Sequence, residues 1–247
     1  MKKNLFVVFL LLSFNTILAC DCLYTLLPKT YHKANIVAEI TVLNIYGNDT
    51  KDRTYKAEVK FEKFFKGKTD KTTLNLSGNI GRIDGSACDV EFKKGEKYII
   101  FLNHDNEEIS SCTPHYLLNR DNSYHSKISA AENLFSYLKN NTIQNDNFIF
   151  YFEKNKTGRS SISKLKNFKP KNNFAVYEII FTDKNSIASV NIKSEFGDRD
   201  DVIAELIKKN IYHPFTASEG KRSLITFVYI PEYVSINYRD YITSELN

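Results

Sequence analysis

The chain has no tryptophan, one methionine, five prolines and nine glycines among 247 residues. So little proline and glycine excludes a collagen-like or proline-rich disordered chain. Beyond the N-terminal segment, no apolar run approaches the roughly 18 residues a membrane-spanning helix requires. A large charge of one sign is also missing. The net charge is +5, and it falls to +3 once Lys2 and Lys3 leave with the expected leader. That value, with basic residues scattered along the chain, argues against a nucleic-acid partner, which calls for a concentrated basic stripe. Sequences that carry catalysis are absent too: there is no H-E-x-x-H, glycine-rich phosphate loop or G-x-S-x-G. Five histidines (His32, His104, His115, His125 and His213) are scattered without metal-ligand spacing. We therefore expect a protein that is not an enzyme, with no cofactor and no metal of its own.

What is present starts with a leader. Met1-Lys2-Lys3-Asn4 is short and positive, Leu5 to Leu12 is unbroken apolar sequence, and Ala19 offers a small residue for cleavage. Residues 1–19 thus read as a secretory signal peptide. Ile17-Leu18-Ala19-Cys20 also loosely resembles a bacterial lipobox, which would place a lipid anchor on Cys20. The chain is expected to be secreted, periplasmic or on the cell surface. Cysteine parity favours plain cleavage after Ala19. Cys20, Cys22, Cys88 and Cys112 all follow the leader, and an even number in an exported chain suggests two disulfides. Four cysteines allow three pairings. Cys20 and Cys22 are too close to pair comfortably, so each reaches a distant partner.

With 18 Phe and 15 Tyr, the mature chain favours sheet. Pro28 marks a short amphipathic helix, and Ile36 to Leu43 is rich in β-branched residues. After a turn at Gly47-Asn48-Asp49, Tyr55, Ala57, Val59 and Phe61 alternate with charged residues, the period of a half-buried strand. Thr72 to Leu76 is a further short strand, and Lys97 to Leu102 one buried on both faces. Ser129-Ala130-Ala131-Glu132 is a capping-box pattern ahead of the stripe Ala131, Leu134, Phe135 and Leu138. The asparagine-rich stretch 141–149 reads as a linker. A second unit, 150–247, runs strand (Ala175 to Phe181), strand (Ile187 to Ile192), helix (Arg199 to Lys209) and strand (Leu224 to Ile230). That is a small α+β unit of ββαβ order.

Several of these residues stand in the order of a known module. Cys20-Asp21-Cys22 opens the mature chain, Ala34-Asn35-Ile36-Val37 opens a strand, and Phe64-Phe65-Lys66-Gly67 ends the alternating one. Cys88 then precedes Gly95-Glu96-Lys97-Tyr98, and Cys112 follows. Residues 20–140 resemble the netrin-like module, and within it the tissue inhibitors of metalloproteinases. The resemblance implies a mainly β fold: a five-stranded OB-fold barrel with flanking helices. It also implies disulfides Cys20–Cys88 and Cys22–Cys112. In those inhibitors the amine and carbonyl of the first cysteine chelate the protease's catalytic zinc, so Cys20, with Asp21 beside it, becomes the protease-directed site. Asp21 departs from the family, which carries a small neutral residue there. Residues 150–247 more faintly resemble the C-terminal domain of TonB-like proteins, through Phe181 to Ile187, His213-Pro214-Phe215 and Glu219-Gly220-Lys221. Two functions are therefore expected to compete. One is an exported protein that binds and inhibits a zinc metalloprotease through Cys20. The alternative is a periplasmic or surface adaptor that binds other envelope or extracellular proteins.

Overall fold

The structure is a computed structural model that describes residues 22, 25–81, 88–104, 107–119, 124–141, 148–151, 161–162, 165, 168–182, 186–211, 221–231 and 241–243. The expected signal segment, Cys20, Asp21, most of the expected linker and the His213 to Gly220 motifs lie outside the described residues. The protein is mainly β, with three helices among the described residues. Helix α1 (Leu27–Lys33) begins with Pro28 in its first turn, where a missing N–H costs nothing. Strands β1 (Ile36–Asp49) and β2 (Thr54–Lys66) form one long antiparallel hairpin. Short strands β3 (Thr73–Ser77), β4 (Lys97–Leu102), β5 (Glu108–Ile109) and β6 (His115–Leu117) complete a sheet in the order β5-β3-β2-β1-β4-β6. Four register shifts between β1 and β2 bend this sheet, and it curls into a half-barrel.

The expected alternation of β2 is met. Tyr55, Ala57 and Val59 are buried while Lys56, Glu58 and Lys60 are exposed. Their face joins Ile40, Leu76, Ile100, Leu102 and Ile109 inside the curl. β4 is buried on both faces, because Val37, Ile99 and Phe101 meet α1 and the next helix on the outer side. That helix, α2 (Tyr124–Asn140), starts five residues before the Ser129 capping box. Ser129 lies inside the helix, and its Oγ accepts a hydrogen bond from Asn173 Nδ2 at 3.0 Å. Likewise β1 runs through Gly47 to Asp49, so the turn falls at residues 50–53 rather than 47–49.

A second sheet, ordered β10-β9-β7-β8, consists of β7 (Phe174–Phe181), β8 (Ile187–Ser194), β9 (Arg222–Ile230) and β10 (Tyr241–Thr243). Phe148, at the end of the expected linker, forms an isolated parallel bridge to Leu224. Period-two alternation sends the two faces of β7 to different cores. Val176, with Leu224 and Val228 of β9, packs on the apolar stripe of α2, in the same core as Tyr31, Phe101 and Phe135. Tyr177 and Ile179 face helix α3 (Asp200–Asn210) through Ile203 and Ile207. Helix α2 is thus a layer shared by both sheets. Asp200 lies in the first turn of α3, where a carboxylate suits the positive end of the helix dipole, and it does more than that. Its carboxylate accepts from Tyr177 Oη at 2.6 Å and from the Phe196 and Gly197 amides at 2.9 and 2.7 Å. It therefore tethers the entry to α3 onto the sheet.

Candidate functional site

Cys22, Cys88 and Cys112 gather at the C-terminal end of β3. Arg53, in the β1–β2 turn, accepts a hydrogen bond at its carbonyl from Gly78 N at 2.7 Å. Val90 N donates to Ser77 O at 2.9 Å, which brings Cys88 and Asp89 to the same place. β5 runs parallel to β3 with Leu76 opposite Ile109, so Ser110 to Cys112 leave the sheet at that end as well. Cys112 is bonded to Cys22, across 90 residues of chain. Cys22 is thereby fixed covalently to this rim.

Each loop is held by its own polar chemistry. In the turn that carries Cys112, Thr113 N donates to Ser110 O at 3.0 Å, and Thr113 Oγ1 accepts from Ser110 N at 3.1 Å. The segment after Cys88 is pinned by Tyr55, whose hydroxyl donates to Val90 O at 2.7 Å and accepts from Phe92 N at 3.1 Å. Burial raises the Tyr55 phenol, so it stays a neutral donor. Beside Cys88, the Asp89 carboxylate is almost wholly buried and takes both its oxygens to Arg53 Nη2, at 2.7 and 2.9 Å. Gly78 makes room for that pair. Its φ is +126°, and a Cβ there would sit 2.8 Å from Asp89 Cβ.

Two apolar side chains near this sheet end are exposed, Tyr46 on β1 before the hairpin tip and Ile80 after β3. Tyr46 is 41% exposed and reaches Thr73 Oγ1 at 3.4 Å, while Ile80 is 36% exposed. Ile80 N donates to Asn48 Oδ1 at 2.9 Å, which ties the hairpin tip to the loop after β3. A rim of this kind offers a contact surface held by hydrogen bonds and a disulfide. Among the described residues no group of three or more His, Cys, Asp or Glu side chains could hold a metal ion.

Of the residues singled out from sequence, Cys22 and Cys112 are joined as the family resemblance implied. Cys88 is disulfide-bonded too, and its expected partner Cys20 lies outside the described residues, with Asp21. Tyr46, Ile80 and the Arg53–Asp89 pair were not singled out. The one available signal was the exposed aromatic at a hairpin tip; a pair separated by 36 residues leaves no local trace. No helix among the described residues is long and apolar enough to cross a membrane. Compared with known proteins, the chain matches no family model and no curated protein.

Proposed function

We propose that this is an exported, netrin-like protein of the metalloprotease-inhibitor kind. In this reading the half-barrel is a five-stranded OB-type barrel, the second sheet with α3 is a ββαβ unit, and Cys20 is directed at the catalytic zinc of a protease. The observation that carries the reading is the Cys22–Cys112 bond. It holds the residue two places after Cys20 against a rigid rim, which lowers the entropy cost of presenting a chain terminus to a cleft. The chemistry is sound: an α-amine with a pKa near 8 loses its proton readily to a metal, and a catalytic zinc keeps an open position. The exposed Ile80, in the loop after β3, adds apolar contact surface in this reading.

The test is inhibition of a panel of zinc proteases by the mature protein. Acetylating the Cys20 amine, or inserting one residue before it, abolishes inhibition if chelation operates. Asp21→Thr improves inhibition more than about tenfold, since relieving a buried carboxylate is worth at least ~1.4 kcal/mol. No inhibition by either form refutes the proposal.

A second reading rests on β8, the edge of the second sheet, where Ile192 is 44% exposed. There the protein is an envelope or surface adaptor that adds a partner's strand to this edge. Under that reading, blocking the N-terminus leaves binding intact and a proline at Asn191 removes it.

A further inference from the structure

At the opposite end of β2 from the cysteine rim, the surface is concave and cationic. A groove of about 610 Å³ lies between the C-terminal ends of α1 and α2 and the last residues of β2. That is the size range of sites for small ligands. Its walls carry Tyr31, Phe64 and Phe65, and its rim carries Lys66, Lys68 and Lys139. Among the described residues no carboxylate lines it.

One of these charges, Lys66, is held in place. Lys66 Nζ donates to the carbonyls of Tyr31 and His32 at 3.0 and 2.8 Å, at the end of α1. It also lies 5.4 Å from the centre of the Tyr31 ring. Two carbonyls are weak compensation for an ammonium, and one of its three donors is left over. Burial lowers its affinity for the proton, as it does for an ammonium short of a counter-charge. His32 lines the same wall, and its Nε2 is buried with no hydrogen-bond partner among the described residues. A buried polar atom without a partner is costly.

The backbone is shaped for this place. Gly67, between Lys66 and Lys68, has φ +63°, and a Cβ there would sit 2.2 Å from Asn35 O. This fit turns the chain sharply, and both flanking lysines line the groove.

We propose that this groove binds a small phosphomonoester with a ring or apolar body, its phosphate held by Lys66, Lys68 and Lys139 and its body laid against Phe64 and Phe65. Two negative charges match three lysines better than one does, and charge-assisted hydrogen bonds to phosphate are the strong kind. The site is independent of Cys20 and of any protease.

The test is an NMR titration of the mature protein with phenyl phosphate, inorganic phosphate, benzoate and phenol. Phenyl phosphate saturates, with shifts centred on amides 65–68 and 139–141 and on the His32 ring. It binds at least about tenfold tighter than inorganic phosphate, phenol or benzoate. Lys68→Gln and Lys139→Gln each weaken it at least about threefold with an unchanged melting temperature, because among the described residues neither is tied into the fold by a hydrogen bond or ion pair. Phenol binding as well as phenyl phosphate, or benzoate matching it, overturns the phosphate assignment. Shifts centred elsewhere, or none that saturate at millimolar ligand, overturn the site.

Discussion

Breaking the Cys22–Cys112 bond should lower stability by an amount that depends on whether a second crosslink is already in place. The bond spans 90 residues. Taken alone, the loop-closure entropy removed from the unfolded chain corresponds to about 4.6 kcal/mol at 25 °C. If Cys20 and Cys88 are also joined, the additional loop runs only from Cys88 to Cys112 and back through the first residues, about 26 in all, and the contribution drops to about 3.5 kcal/mol. The perturbation is the double variant Cys22→Ala/Cys112→Ala, which leaves no stray thiol at the rim. Urea unfolding followed by tyrosine fluorescence and far-ultraviolet circular dichroism reads the result, there being no tryptophan to follow. With a urea slope of about 3 kcal/mol/M, the midpoint falls by about 1.2 to 1.5 M. The slope itself rises, because the unfolded chain without the crosslink is more open. A loss below about 1 kcal/mol, or an unchanged slope, would refute the entropic reasoning and place the bond's effect in the native rim instead.

Three further outcomes are expected. Gly67→Ala puts a Cβ into Asn35 O at a position of φ +63°, and should cost about 3 kcal/mol, read as a lower urea midpoint; a change under about 1 kcal/mol would show that the β2 end yields freely. Burial pushes His115 below its usual 6.5, against the Thr113 carbonyl at 2.7 Å that favours the charged ring, and burial together with Lys66 lowers His32. Unfolded histidines therefore take up protons first, so stability is full above pH 6.5 and declines as pH falls below it; His115→Asn should flatten the decline, and an unaltered pH profile would contradict this. Asp200→Ala removes the acceptor for one hydroxyl and two amides, and should cost about 3 kcal/mol with early hydrogen exchange in α3, whereas Tyr177→Phe, which leaves both amides paired, should cost about 1 kcal/mol. Equal costs for the two would show that the hydroxyl, not the helix entry, is what Asp200 serves.

Local pattern alone determined a good part of this protein. The alternation from Tyr55 to Val59 assigned the buried face of β2, the continuous apolar run assigned β4 to a place between two layers, and the stripe from Ala131 to Leu138 assigned the buried face of α2. These are consequences of side-chain direction in strands and helices, which neighbours in sequence share. Element ends were less legible. The Ser129 capping box lies inside α2, and its hydroxyl accepts from Asn173, just before β7, instead of capping the helix. The turn after β1 moved to residues 50–53, since pairing with β2 carries β1 on to Asp49. What only the tertiary structure decided is which distant pieces meet. Curl and register put Arg53 on Asp89, brought Cys112 and Cys88 to one end of β3, and set Lys66, Lys68 and Lys139 around one groove. It also made α2 a layer shared by both sheets, so that Val176 and Phe101 lie in one core. Periodicity tells which face of an element is buried and carries no information on what buries it. That is settled by strand bending and by packing between elements far apart in the chain.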